Sequence, residues 1–183
     1  GRLRQIFTDI YDDTEWLINL VENLLSISRI ENGKMDLHLS LEVVNDVIEE
    51  ALRHIDKNAD RHKIIVELSD EVLLARMDAR LIAQVLINLV NNAIKNTQSG
   101  SHINIRSEKD GDFVYVTVSD DGPGIPDSMK PHVFEMFYTI DGNITDGRRG
   151  IGLGLALCKT IIEAHGGFIT LHDNSPTGCR FQF

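Results

Sequence analysis

Two glycine clusters on either side of a polar stretch limit what this chain can fold into more than any other feature. Asp120-Asp121-Gly122-Pro123-Gly124-Ile125-Pro126 is followed, after a loop of lid length, by Gly150-Ile151-Gly152-Leu153-Gly154-Leu155-Ala156. The second cluster opens a predicted helix, so its bare amides and helix N-terminus form a site for anionic oxygens. A dinucleotide fold requires an apolar strand directly before such glycines. Here Thr145-Asp146-Gly147-Arg148-Arg149 stands in that place. A P-loop requires Gly-Lys-Ser/Thr, which the sequence does not contain. The pattern therefore describes a nucleotide pocket of a third kind.

A predicted helix from Ala79 to Lys95, with Asp78 as its N-cap, supplies the polar groups upstream. Asn88 and Asn92 lie four apart and Lys95 three further on, so the three share one face. Leu81, Ile82, Val85, Leu86, Leu89, Val90 and Ala93 form the other face. A solvated helix face normally carries Glu and Lys, and Asn is a mediocre helix former. An amide oxygen can ligate a hard cation such as Mg²⁺, which keeps several waters and takes phosphate oxygens as well. Capping or loop hydrogen bonds would use the same amides. Asp120 follows an alternating strand, Phe113 to Ser119, and a carboxylate there suits an amine edge approached by glycine backbone. A plain turn also explains Asp-Gly-Pro-Gly. Arg148 or Arg149 could reach phosphate from the loop Tyr138 to Arg149, although loop arginines are commonly just solvated.

Composition excludes several alternatives. The formal charge of -10 and isoelectric point near 5.1 would repel a nucleic-acid backbone, so any phosphate must be held locally. No apolar run approaches the roughly 18 residues of a membrane span, so this segment is expected to be soluble and cytoplasmic. Its start at Gly1 inside a helical pattern reads as a fragment of a longer, membrane-anchored parent. Cys158 and Cys179 lack C-x-x-C spacing and are expected to be buried free thiols.

Along the chain, Leu3 to Arg29 reads as one helix. Phe7, Ile10, Thr14, Leu17, Val21 and Leu24 fall at three- and four-residue steps, Thr14 being the one polar member, widened by Ile6, Trp16, Leu20 and Ile27. Such a stripe is expected to pack on another helix, as in a bundle, and Asn32-Gly33 is its expected stop. Met35, Leu37 and Leu39 alternate as a strand would. Val43 to Lys57 returns to helical spacing, and Ile64 to Leu68 reads as a strand. Ile103 to Ser107 and Phe113 to Ser119 form a predicted hairpin across Lys109-Asp110-Gly111-Asp112. A helix from Gly152 to Ala164 and strands at Phe168 to Leu171 and Arg180 to Phe183 follow. The expected architecture is α+β, a mixed sheet covered by helices on one face and preceded by one long bundle helix.

The order of Asn-rich helix, Asp-x-Gly-x-Gly, Phe134-Glu135-Met136-Phe137-Tyr138 and Gly-x-Gly-x-Gly-Leu resembles the N, G1, F and G2 boxes of sensor histidine kinases. Their catalytic ATP-binding domain is a two-layer α/β sandwich, the Bergerat fold, shared with gyrase, Hsp90 and MutL ATPases. Thr177-Gly178-Cys179-Arg180-Phe181-Gln182-Phe183 is similar to the closing strand, so the likeness runs from about Met35 to Phe183. Upstream, Asp12 to Ile30 resembles the second helix of the dimerisation and phosphotransfer hairpin, in wording closest to the KdpD potassium-sensor branch. The resemblance implies a domain boundary at residues 33–34 and a lid at about 138–149.

It also implies roles. Asn92 would ligate magnesium beside Asn88, and Lys95 would contact phosphate. Asp120 would accept the adenine amino hydrogen, with Gly122 and Gly124 letting the base approach and Ile125 beside it. Gly150, Gly152 and Gly154 would face the phosphates, while Leu153 and Leu155 anchor the lid's exit. Phe134 and Phe137 would pack under the lid, whose first residue is Tyr138. Asn96 stands where the family carries an aromatic residue or His, so stacking there is not expected. Hydrolysing relatives have Glu where Asn88 stands, and loss of a general base costs ~10²- to 10⁴-fold. The resemblance therefore favours transfer of phosphate from Mg-ATP to a protein His over attack by water, then transfer to a response regulator Asp, within a homodimeric parent. A conformational ATPase would want Glu at 88, an adaptor without turnover would not need an intact pocket, and an anti-sigma serine kinase would not need Leu3 to Arg29. The family's acceptor lies in a His-Asp/Glu-x-Arg-x-Pro box, and none of the seven histidines has that context. Autophosphorylation of this segment is not expected.

Overall fold

The computed structural model describes residues 2–33, 37–139 and 152–183. Helix α1 (Arg2–Glu31) is 30 residues long, about 45 Å at 1.5 Å per residue. It stops where expected: Gly33 has φ +61°, and Asn32 Nδ2 donates to the Ser28 carbonyl at 2.7 Å. Ile27 is buried, and Leu20 and Ile30 pack beside it on the core. Phe7, Ile10, Leu17 and Val21 remain at least half exposed.

The domain is built from β1 (Ser40–Val43), α2 (Val44–Leu52), β2 (Lys63–Glu67), β3 (Leu74–Met77), α3 (Ala79–Asn96), β4 (His102–Asp110), β5 (Phe113–Asp120), α4 (Gly154–Ala164), β6 (Thr170–Asp173) and β7 (Cys179–Gln182). Five strands form one sheet in the order β2-β4-β5-β7-β6. β2 and β4 are parallel, while the β4–β5, β5–β7 and β6–β7 pairs are antiparallel. The sheet is therefore mixed, as expected. Period-2 alternation sends Ile103, Ile105, Val116, Val118 and Phe181 to the buried face. Ile105, Val118 and Phe181 lie in one cross-strand row. They meet the apolar faces of α2, α3 and α4 in one core, and among the described residues no helix covers the other sheet face.

Several boundaries move. The strand expected at Met35–Leu39 is not formed in its described part, Leu37–Leu39; Met35 lies outside the described residues. The amide of His38 goes instead to the Asp78 carboxylate at 3.2 Å. Pairing starts at Ser40, against Met77 of β3. β3 itself has no strong apolar alternation and exists through that partner. The helix expected to reach Lys57 ends at Leu52, where Arg53 and His54 amides tighten onto the Glu50 and Ala51 carbonyls at 3.2 and 3.0 Å. A 3₁₀ turn, Lys57–Arg61, follows, capped by Asp56 on the Asn58 amide at 2.7 Å. β6 starts at Thr170, two residues later than Phe168, whose ring leaves the ladder to meet Tyr115 edge-on at 6.1 Å. α4 starts at Gly154 because Gly152, at φ +74°, is not helical.

Candidate nucleotide site

The site lies at the C-terminal end of α3, where the β5 exit passes it. Asp78 caps α3 as expected, its Oδ1 accepting the Leu81 amide at 3.2 Å. That fixes the register which buries Leu81, Val85, Leu89 and Ala93 and leaves Asn88 and Asn92 half-buried on the other side. Lys95 is exposed in the last turn. Asn96 Nδ2 donates to the Asn92 carbonyl at 2.7 Å and to Asn92 Oδ1 at 3.0 Å. Among the described residues Asn88 Nδ2 is buried without a hydrogen-bond partner. Cys158 of α4 stands behind it; its thiol donates to the Val85 carbonyl at 3.7 Å. Burial pushes this thiol up to about 12, and contact with the Asn88 amide pulls weakly the other way.

Asp120 ends β5 on the buried face and is 8% exposed. Its Oδ1 takes the Gly122 amide at 2.9 Å and the Cys179 amide at 3.3 Å. Among the described residues nothing donates to its Oδ2. Burial holds the Asp120 carboxyl above its ordinary value, opposed by those two amides. A Cβ at Gly122 would lie 2.8 Å from Thr97 Cγ2 and 2.9 Å from Asp120 Oδ1. The β5 exit is thus pressed onto the end of α3, which brings Asp120 and Gly122 against the turn carrying Asn92 and Asn96. Gly124 has φ +75°, and Ile125 packs on the core.

The remaining expected residues divide. The Phe137 amide donates to the Gly152 carbonyl at 3.0 Å, so the two ends of the lid stretch lie side by side. Gly152 is obligatory there, since a Cβ would fall 2.4 Å from the Tyr138 carbonyl oxygen. Phe137 itself is left-handed at φ 65° and 57% exposed. Tyr138 is half-buried, 5.6 Å from the His132 ring. Phe134 turns to Phe181, edge-on at 6.2 Å, and so belongs to the core margin. Leu153 is buried and Leu155 packs on the core. At Gly154 a Cβ would meet nothing within 4 Å, so no described neighbour requires glycine. Gly150, Arg148, Arg149 and the rest of the expected lid from Ile140 lie outside the described residues.

Three contributors were not foreseen. Asn174 Nδ2 donates to the Asp120 carbonyl at 2.8 Å, Cys179 donates its amide to the Asp120 carboxylate, and Gly178 lets β7 approach. A Cβ at Gly178 would stand 1.9 Å from the Asp120 carbonyl oxygen. The turn signal at residues 174–178 was visible, but its contact with a residue more than fifty positions away was not. Both cysteines are free and buried, as expected. Among the described residues no helix is long and apolar enough to cross a membrane.

Residues 77–183, over half the chain, match the family of histidine kinase-, DNA gyrase B- and HSP90-like ATPases. The sensor protein KdpD of Clostridium acetobutylicum is 42% identical over 183 residues, covering 100% of this chain and 20% of that protein. The chain therefore spans about a fifth of the length of that relative. Histidine kinase ThkA, solved in complex with response regulator protein TrrA, superposes with a TM-score of 0.69 at 30% identity, covering 91% of this chain and 48% of ThkA. Full-length ShkA in complex with AMPPNP gives a TM-score of 0.83 over 100% of this chain and 38% of ShkA; at 24% identity it supports the fold. A capped asparagine helix, an inward carboxylate with one free oxygen, and these likenesses make the chain a member of the histidine kinase-, gyrase B- and HSP90-like ATPase family, an ATP-binding domain of the sensor histidine kinase kind with the Bergerat fold.

Proposed function

We propose that this chain binds Mg-ATP and directs its γ-phosphoryl to a histidine on a hairpin helix outside the sequence, from which it passes to an aspartate of a response regulator receiver domain. The observation that carries the reading is Asp120. A buried carboxylate raised by desolvation is costly unless used, and its free Oδ2 is the acceptor an adenine amino group needs. Asn88, Asn92 and Lys95 then lie toward the phosphates. ShkA was solved with AMPPNP and ThkA with a response regulator, which supports nucleotide and receiver as the two partners.

Magnesium fits the donors present. Among the described residues no cluster of three or more His, Cys, Asp or Glu could hold a metal. A cation would therefore rest on the Asn92 oxygen together with phosphate oxygens and water, the set Mg²⁺ prefers. When bound it supplies charge neutralisation at the phosphates. Asn88 orients and does not deprotonate: an amide cannot serve as general base, so water is left unactivated and positioning favours an imidazole acceptor. Lys95, exposed at the helix end, adds a cation for phosphate. Gly152 and Gly154 offer backbone amides, with Gly150 completing the set, and residues 138–149 serve as the lid.

In this reading residues 1–33 are the second helix of a dimerisation hairpin and residues 34–183 the catalytic domain. The half-exposed apolar stripe of α1 is the surface the first hairpin helices of a homodimer would cover. The parent is anchored in the membrane and this part faces the cytoplasm. Mixing the chain with the first hairpin helix of its parent and γ-labelled ATP is expected to put acid-labile, base-stable label on that helix and none on this chain. Label released only as free phosphate would overturn the kinase reading in favour of an ATPase.

A further inference from the structure

We infer that Asn96, rather than touching nucleotide, is the positioning residue that sets the orientation of the Asn92 amide; the inference rests on the proposed role of Asn92. The Nδ2 group of Asn96 has two hydrogens, and both go to Asn92, at 2.7 Å to the backbone carbonyl and 3.0 Å to Oδ1. The first bond is a common habit of asparagine at a helix end. Asn32 makes it at the end of α1, with Nδ2 2.7 Å from the Ser28 carbonyl. The second is not required by the backbone, because its acceptor is the side-chain oxygen one turn earlier.

Its consequence follows from the amide inventory. A primary amide presents an oxygen acceptor at one corner and an NH₂ donor at the other. With a donor fixed beside it, Asn92 must turn its oxygen toward Asn96, since the flipped amide would set NH₂ against NH₂. Oδ1 has two lone-pair directions and Asn96 uses one. The other is left for a hard cation, and the choice between oxygen and nitrogen is already made before any ligand arrives. Place strengthens the argument: the Asn96 carbonyl oxygen is 3.5 Å from a Cβ built at Gly122. The Asn96 backbone thus borders the carboxylate loop while its side-chain amide is turned to Asn92.

The test is calorimetric titration of wild type, Asn96→Leu and Asn96→Gln with a non-hydrolysable ATP analogue, once with Mg²⁺ and once with EDTA. Leu keeps the size and loses the donor, whereas Gln keeps the donor on a longer stem. Outer partners of metal ligands typically contribute ~10- to 100-fold in metal affinity. Asn96→Leu is expected to lose about tenfold of the magnesium-dependent gain, with EDTA affinity changed less than about twofold, and Asn96→Gln to recover part of the loss. In the free protein, the Asn92 side-chain amide NMR signals are expected to broaden in Asn96→Leu and to be single and sharp in wild type. A full magnesium gain in Asn96→Leu would overturn the inference alone. Equal losses with and without metal would overturn it in favour of a direct nucleotide contact. A wild type that binds nucleotide with no magnesium gain would remove the ligand role of Asn92, and this inference with it.

Discussion

At the scale of single residues, Asp120 holds stability and binding in opposition. Burial raises its carboxyl above 3.8, with the Gly122 and Cys179 amides lowering it again. A raised carboxyl contributes most to folding below its unfolded value, and that contribution is lost as pH rises through the folded value. At neutral pH the ionised form therefore costs the free protein stability, yet in the proposed function the ionised form is the one that accepts the adenine amine. Asp120→Asn is expected to leave the melting temperature of the free protein unchanged or higher. It is expected to weaken ATP binding by about 1.5–3 kcal/mol, the value of a hydrogen bond to a charged group. ATP affinity of the wild type is expected to start falling, on acidification, above the ordinary aspartate range, while Asp120→Asn stays flatter. Calorimetry of both proteins across pH 4–7 checks each expectation, and equal affinities at pH 7 would remove Asp120 from the adenine role.

At the scale of elements, α1 is divided between two environments. Ile27 is 3% exposed against the domain, whereas Ile18 is 51% exposed. Ile27→Ala is expected to cost about 2–5 kcal/mol in urea denaturation, and Ile18→Ala to stay within about 0.5 kcal/mol. A loss at Ile18 equal to that at Ile27 would show the outer stripe to be covered already. Elements also mark where sequence reading succeeds. α3 was legible from Asp78 to Lys95 because cap, apolar spacing and paired asparagines agree within one helix. β4 and β5 were legible because their alternation is long enough to stand alone, and β4 extends beyond its expected end at Ser107 through the ladder Lys109↔Val114 and Asp110↔Phe113. β1 and β3 were not, since four residues each carry too little pattern and pairing across thirty-odd positions decides them. Gly178 shows the same limit within the site: its need for glycine comes from the Asp120 carbonyl, which local sequence does not reveal.

At the scale of the whole molecule, ligand binding and folding are linked. Anything that binds the native state at about 100 times its dissociation constant adds ~2.7 kcal/mol. For a chain of this size that corresponds to a rise of roughly 5–10 °C in melting temperature. Mg-ATP is expected to produce such a rise in wild type. Asn92→Ala is expected to melt as wild type does without ligand and to lose the part of the rise that depends on magnesium. Scanning calorimetry with ATP in the presence of Mg²⁺ or EDTA separates the two, and a surviving metal-dependent rise would reassign the ligand.

Asp78 is 5% exposed and serves three neighbours at once. Its carboxylate takes the His38 amide and the Leu81 amide, and its own amide goes to His165 Nε2 at 3.0 Å. His165 Nδ1 in turn donates to the Ile161 carbonyl at 2.7 Å, leaving Nε2 to accept the Asp78 amide. His38, the front of the asparagine helix and the tail of α4 are thereby joined at Asp78. Pulling His38 away from the front of the asparagine helix must break its bond to Asp78, beside the cap that sets the register of Asn88 and Asn92.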